Sequence, residues 1–378
     1  MDTNRDRTWA EISLSSIKHN YLAMRERLPS GCRFLGVVKS DAYGHGAVPV
    51  ARLLERLGCE MFGVACLSEA IKLRENGVTS PILVLGYSHH SVCCELVRYD
   101  VIQTVFSCRD AEEFSKEALN LGQALKIHIK TDSGMGRLGF TCHGGADPTA
   151  EIIRILELPG LDVQGIFTHF AVSDITDAEY TNMQFSSFVS LVRHIEALRG
   201  KRFIIKHCAN SGAVLNYPET YMDMVRPGIA LFGAYSGPSL PIHLNPAMAL
   251  RTRIVQIKEF KAGDTVGYGR TYTASGNRKI AVLPIGYGDG LHRLLSGKID
   301  VLVCGKRAPQ VGRICMDMCM IDITDIPEAK VQDIVTIFGS DGNESISIEN
   351  LATAAETISY ELLCAISNRV PRVYDSVI

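Results

Sequence analysis

The stretch Phe34-Leu35-Gly36-Val37-Val38-Lys39-Ser40-Asp41-Ala42-Tyr43-Gly44-His45-Gly46 sets one lysine where an apolar run of strand length gives way to a turn rich in Gly and Asp. A lysine there stands at the carboxyl end of a buried strand. α/β folds keep their chemistry at such ends, because the sheet fixes the residue while the loops shape a pocket around it. Desolvation makes a lysine easier to deprotonate, and the free amine is a nucleophile able to form a Schiff base. A lysine that only closes its strand and points its ammonium at water would occupy the same place, so position alone leaves both readings open. Lys130, Arg137, His169, Asn210, Ser211 and Arg226 likewise follow shortly after the ends of strand-like runs.

Those runs lie at 34–38, 61–66, 81–85, 101–106, 125–130, 163–169, 203–208 and 223–226, with helical or polar stretches between them. Eight alternating units before about residue 235 predict an α/β fold with a closed, TIM-like (β/α)8 barrel; an open doubly wound sheet would share much of the pattern. In a barrel the polar groups above gather on one face. Beyond Gly237-Pro238-Ser239-Leu240-Pro241 the texture changes to short alternating runs at 250–260, 279–284, 299–304 and 318–323, as in a mainly β domain, and 347–365 reads as helical. The expected domains are residues 1–240 and 241–378. The first 12 or so residues, with a strand-like run at 9–14, are expected to pack with the second.

With 378 residues, 46% of them hydrophobic and 21% charged, the chain can bury a large core. A formal net charge of -2 supplies no basic field for nucleic acid or an anionic membrane surface, so a small polar substrate fits better. No apolar run approaches the roughly 20 residues of a membrane span, and 1–7 lacks the apolar stretch of a signal peptide, so a cytoplasmic chain is expected. The 12 cysteines include no Cys-x-x-Cys pair. Cys66, Cys108, Cys304 and Cys364 lie in apolar runs and are expected to be reduced core thiols, with neither a metal site nor a disulfide framework.

The segment from Val37 to Gly46 resembles the cofactor-lysine motif of the alanine racemases, which hold pyridoxal 5'-phosphate (PLP) on that lysine. Gly267-Tyr268-Gly269-Arg270 resembles the catalytic-tyrosine segment of the same family. Gly286-Tyr287-Gly288-Asp289-Gly290 and Gly312-Arg313-Ile314-Cys315-Met316-Asp317 resemble its stretches near the substrate entrance. The likeness runs over nearly the whole chain and implies a barrel-plus-β architecture. It implies that Tyr43, Ser211, Gly228 and Ile229 hold the cofactor phosphate, with Asn210 beside them also binding the cofactor, that His169 lies against the ring, and that Arg137 stands near the ring hydroxyl. It also sets Arg226 opposite the pyridine nitrogen. An arginine keeps its charge and only donates there, which leaves the nitrogen unprotonated and the ring a weaker electron sink, suited to moving one α-proton.

Racemisation takes a proton from one face of the α-carbon and returns one to the other, so two bases are needed. Lys39 is expected to serve one face and Tyr268 the other. Because Tyr268 falls in the second domain, the resemblance implies that it acts in the partner subunit, which makes a homodimer obligatory. An unperturbed tyrosine has a pKa of about 10, so Tyr268 needs cationic or hydrogen-bonding help. Tyr287, the Met316 backbone amide and Asp317 are expected to help bind the partner's substrate. Lys130 is expected to be carbamylated, an anion that orients Arg137. The implied role is supply of D-alanine for peptidoglycan precursors.

One departure stands out. In Ile366-Ser367-Asn368-Arg369-Val370-Pro371-Arg372 the family pattern puts a phosphate-holding tyrosine at the position of Asn368. A smaller residue with both a donor and an acceptor would admit a hydroxymethyl group and bond its oxygen. Serine is therefore expected as a second substrate, as in the serine/alanine racemases linked to glycopeptide resistance. Some of those carry a membrane module, so the chain is alternatively the cytoplasmic domain of a larger anchored protein. The competing readings are a PLP-dependent decarboxylase of similar architecture and a non-catalytic PLP-binding barrel. The Tyr268 and Met316 segments argue against the first, and the residues after Leu240 against the second.

Overall fold

The structure, a computed structural model, describes residues 6–175, 178–235, 237 and 241–375. Strands Arg33–Val37, Met61–Val64, Ile82–Val84, Val101–Val105, Leu125–Asp132, Leu161–Phe167, Ile205–His207 and Met224–Val225 pair in parallel, each with the next. The last returns to the first through Met224–Arg33 and Val225–Phe34, so the sheet closes as a barrel of eight, and the open-sheet alternative falls. The apolar runs follow from this closure. Side chains inside meet the barrel core and those outside meet helices, so Met61–Val64, Ile82–Val84 and Val101–Val105 are buried throughout. The outer helix Ala47–Arg56, for example, turns Val50, Ala51, Leu53 and Leu54 onto the sheet.

The second sheet runs in the order Gln256–Phe260, Arg278–Leu283, Cys319–Asp322, Lys306–Val311, Asp300–Val303, Ile334–Asp341, Met248–Arg253, Thr8–Ile12 and Arg372–Tyr374. Its pairings along that order are antiparallel except the last, so the first strand of the chain lies between two strands of the C-terminal half. The boundary expected at residue 240 falls on Leu240, outside the described residues.

Two predicted elements divide. The run at 250–260 breaks after Arg253, because Ile254 donates to the Asp333 carbonyl (3.0 Å) while Val255 donates to the Val282 carbonyl (2.9 Å), so the chain changes partner strands there. The helical stretch at 347–365 is two helices, Ile348–Ala354 and Ser359–Ala365, parted near Glu356 at φ +57°. The cysteine expectation needs correction. The buried thiols are Cys32, Cys59, Cys93, Cys142, Cys208 and Cys319, whereas Cys66 and Cys108 are half-buried and Cys304 and Cys364 exposed. Cys304 sits in a hairpin turn at φ +51°, where an apolar neighbour in sequence does not mean an apolar neighbour in space. No helix among the described residues is long and apolar enough to cross a membrane.

Candidate active site

Directly after its strand the chain enters a left-handed turn. Ser40, Asp41, Ala42 and Tyr43 all have φ between +52° and +56°, and Gly44 follows at +80°. Each non-glycine residue in that region costs on the order of 1 kcal/mol, so the turn persists only because its surroundings over-determine it. Glu69 takes the Ser40 amide at 2.7 Å on one oxygen and the Ala65 amide at 2.8 Å on the other. The Asp41 carboxylate takes the Ala47 amide (3.0 Å) and the Lys72 ammonium (2.9 Å). From the C-terminal strand, Arg372 Nε donates to the Gly44 carbonyl (2.9 Å) and the Tyr374 hydroxyl to the His45 carbonyl (3.1 Å).

The turn aims Lys39 into a cavity of about 460 Å³. Lys39, Tyr43, Lys130, Arg137, His169, Asn210, Ser211, Arg226, Gly228 and Ile229 all line it, brought together from the carboxyl ends of the strands. Lys39, Lys130, Arg137 and Arg226 make the wall strongly cationic, and none of the described ion pairs involves them. Burial, then the neighbouring Arg137 charge, hold the Lys39 ammonium below its usual range. Lys130, 5% exposed, is pushed down to about 7 by burial and by the Arg137 and Arg226 charges. Arg137 itself is placed by the Asp132 carboxylate, which takes the amides of Gly134 (2.9 Å), Met135 (2.8 Å), Gly136 (3.1 Å) and Arg137 (3.1 Å). Burial opposes its ionisation, but those four amides hold it below the usual carboxylate range.

Arg226 is 4% exposed and meets only neutral groups. Its Nη2 donates to the carbonyls of Thr168 (2.8 Å) and Cys208 (3.0 Å), with His169 Nδ1 at 3.3 Å, and its Nη1 donates to His207 Nδ1 at 2.9 Å. A guanidinium has no acceptor, so His207 carries its proton on Nε2 and passes it toward His128 Nδ1, 2.9 Å away. His128 Nε2 ends the chain buried and without a partner among the described residues. Burial lowers Arg226 only to about 10, so it stays charged at neutral pH, and burial followed by the Arg226 charge keeps His207 neutral. The Phe167 ring stacks on His207 at 4.7 Å and lies 5.2 Å from the guanidinium, which fixes the plane of both.

At the far end Ser211 Oγ takes the amides of Gly228 (2.8 Å) and Ala230 (3.3 Å), and a Cβ on Gly228 would lie 2.4 Å from the Tyr43 hydroxyl. Only glycine permits that approach. Asn210 caps the helix Ser211–Asn216, accepting from the Ala213 amide at 3.1 Å and the Ser173 hydroxyl at 2.6 Å. Two hydroxyls and two amides at one end, an arginine donor at the other and a depressed lysine amine at a third corner match the demands of a phosphorylated pyridine aldehyde. The residues present therefore fit PLP.

The second-domain candidates stand elsewhere. Tyr268 is 71% exposed, Tyr287 43% and Met316 55%, and none of them, nor Asp317, lines the lysine cavity. Tyr268 and Met316–Asp317 border a separate groove with Phe260 and Met318. Asn368 is exposed and also off the cavity. The C-terminal residue that does line it is Tyr360, whose ring is 6.0 Å from that of Tyr43. Sequence reasoning missed Tyr360, which the helix Ser359–Ala365 sets at the cavity wall, whereas Asn368 lies exposed past that helix between the buried Ile366 and Val370. Asp174 was also missed.

Comparison with known proteins agrees over both halves. Residues 12–236 match the alanine racemase N-terminal domain family and 247–374 the C-terminal domain family. The alanine racemase of Desulfosudis oleivorans is 43% identical, over 97% of this chain and 96% of that one. That of Methanococcus maripaludis is 45% identical, over 97% and 98%. Among solved structures, alanine racemase from Clostridium difficile 630 superposes with a TM-score of 0.91 at 38% identity, covering 98% of this chain and 96% of that one. The Bacillus anthracis enzyme with bound L-Ala-P gives 0.90 at 37%, covering 98% and 95%. With matches of this extent in sequence and in fold, the chain belongs to the alanine racemase family.

Proposed function

We propose that this protein interconverts L- and D-alanine with PLP held on Lys39. The observation that carries the reading is the pairing, across one cation-lined cavity, of a lysine amine depressed by burial with a charged arginine that can only donate. PLP, when bound, supplies an electrophilic carbonyl carbon and an electron-withdrawing ring. Ser211, Gly228, Ile229 and Tyr43 hold its phosphate end; Arg226 donates to its ring nitrogen; Lys39 takes or returns a proton on the near face of the α-carbon. Borohydride reduction of the holoenzyme should attach the cofactor to the peptide containing Lys39, and Lys39→Ala should abolish exchange of the alanine α-proton. Attachment at another amine would remove the assignment.

The second base is Tyr268 of another copy. The exposure of Tyr268, Met316 and Met318 supports this, since a monomer would leave an apolar face in water and one side of the substrate without a base. Hybrids of Lys39→Ala and Tyr268→Phe protomers contain one intact site and should recover up to half the wild-type rate, although either homodimer is nearly inactive. No recovery would mean that both groups act within one copy.

Lys130 is carbamylated in this reading. An amine with a pKa of about 7 is about half neutral at pH 7 and mostly neutral at pH 8, and the neutral amine is the form that adds to carbon dioxide, releasing one proton and leaving an anion beside Arg137. A carbon-13 carbamate resonance from labelled bicarbonate, absent in Lys130→Ala, would bear this out. The product is D-alanine for cell-wall precursors; D-alanine auxotrophy on loss of the protein, where no second racemase exists, tests it. Serine as a second substrate rests on Asn368, which is off the cavity of its own copy but exposed beside Arg369, the residue that bonds Asp317, and so can act only where another copy completes the site.

A further inference from the structure

The second domain contains an ion-pair junction that the cavity does not use. Asp289 is wholly buried, and its carboxylate takes two bonds from Arg7 (Nη1 2.7 Å, Nη2 2.9 Å), one from Arg369 Nε (2.9 Å) and one from the Gly286 amide (2.9 Å). The same two arginines reach beyond it. Arg369 Nη2 donates to Asp317 Oδ1 (2.7 Å) and the Met316 carbonyl (3.4 Å), and Arg7 Nη2 to the Asp317 carbonyl (3.2 Å).

Backbone bonds tie the two loops together, from the Tyr287 amide to the Cys315 carbonyl (3.0 Å) and from the Gly288 amide to the Met316 carbonyl (2.9 Å). Gly286 serves the same contact: a Cβ there would lie 2.3 Å from the Cys315 carbonyl oxygen and 2.4 Å from that of Met316. Three segments remote in sequence thus meet at one carboxylate, and the 315–317 loop joins them through the two arginines. What the junction pushes into solvent is a tyrosine and a methionine, Tyr287 and Met316, 43% and 55% exposed. A cluster whose task was only to hold the fold would have no reason to fix two large side chains outward at the cost of desolvating its charges.

We propose that Asp289, with Arg7 and Arg369, is a positioning group for the reaction in the neighbouring copy. It sets the backbones of 286–288 and 315–317 so that Tyr287 and the Met316 amide meet the partner's amino-acid substrate in a fixed geometry. The inference rests on the composite site proposed above.

Its test uses Arg369→Gln and Asp289→Asn in the holoenzyme. Each should raise KM for L-alanine about tenfold, the scale of losing a charge-assisted hydrogen bond at a binding element, with kcat changed less than about threefold. Arg369 is part-exposed and its removal leaves the Arg7–Asp289 pair intact, so Arg369→Gln carries the test even where Asp289→Asn does not fold. An unchanged KM in Arg369→Gln overturns the proposal.

A hybrid of Arg369→Gln and Lys39→Ala protomers then locates the effect. Its one working site joins the barrel of the Arg369→Gln copy to the intact second domain of the other, so wild-type KM should return at about half the maximal rate. A KM that stays high, while the Lys39→Ala and Tyr268→Phe hybrid recovers, overturns the positioning role and leaves the composite site standing; failure of both hybrids overturns both. Hydrogen exchange gives a readout apart from activity. The Tyr287 and Gly288 amides should exchange at least tenfold faster in Arg369→Gln with barrel amides unaffected, and equal rates would overturn the proposal.

Discussion

At the scale of single residues, charge told more than shape. Lys39, Lys130 and Arg226 were legible because a cation at the end of an apolar strand has few structural reasons to be there. Tyr360 was not, since a tyrosine on an amphipathic helix reads like any core aromatic, and only its angular position brings it to Tyr43. Asn368 was legible as a departure but not as an exposed one. Exposed in its own copy, it bears on the reaction only where two copies meet, and there Asn368→Tyr should lower the serine-to-alanine ratio of kcat/KM about tenfold; a ratio within about twofold in parallel assays would remove serine from the proposal. Arg226 predicts a change in stability. A lysine there offers one ammonium in place of a fork, so His207 Nδ1 and the carbonyls of Thr168 and Cys208 cannot all keep their donor. Arg226→Lys should lose about 2–4 kcal/mol in urea unfolding, because the abandoned acceptors stay buried.

At the scale of elements, the barrel strands were plain from their apolar runs, whereas the turn that aims the lysine was not. Nothing in Ser40-Asp41-Ala42-Tyr43 marks four successive left-handed residues, and only Asp is a type that tolerates the region. The conformation is imposed from outside by Glu69, Lys72, Arg372 and Tyr374, groups that lie up to 334 residues further along the chain and carry no local signal. Glu69 is the most exposed test of this, because one carboxylate anchors both the turn and the following strand end. Glu69→Ala should weaken PLP binding about tenfold, followed by cofactor fluorescence, with a stability loss of about 1–2 kcal/mol, as two backbone amides lose a charged acceptor. Unaltered affinity would show that the turn holds its shape without the clamp.

At the scale of the whole molecule, the site chemistry marks stability. His45, His128 and His207 are each 0% exposed and held neutral, His45 at about 4 and His128 at about 3, mainly by burial, and His207 well below its ordinary value for the same reason. His45 Nδ1 faces the carbonyls of Ala42 (3.0 Å) and Tyr43 (2.9 Å), which favour the charged form too little to offset burial, and its Nε2 is buried without a partner among the described residues. The unfolded chain binds a proton at each of these rings below about 6.5, and the folded one does not. Where the unfolded state holds more protons, stability rises with pH, so this contribution is fully present above 6.5 and is lost as the pH falls through the folded values. His45 and His128 each add a slope on the order of 1 kcal/mol per pH unit between roughly 6 and 4.5, and His207 acts in the same direction. Lys130 acts in the same direction at higher pH, because its folded value near 7 lies below the unfolded 10.5. The apoprotein, unfolded by urea at pH 8, 6 and 5, should therefore lose stability steeply between the last two, well before its carboxylates titrate. A midpoint that moves little from pH 6 to pH 5 would mean that the histidines accept protons in the folded state, and with it that the His207–His128 pair is not the fixed, neutral support on which the orientation of Arg226 depends.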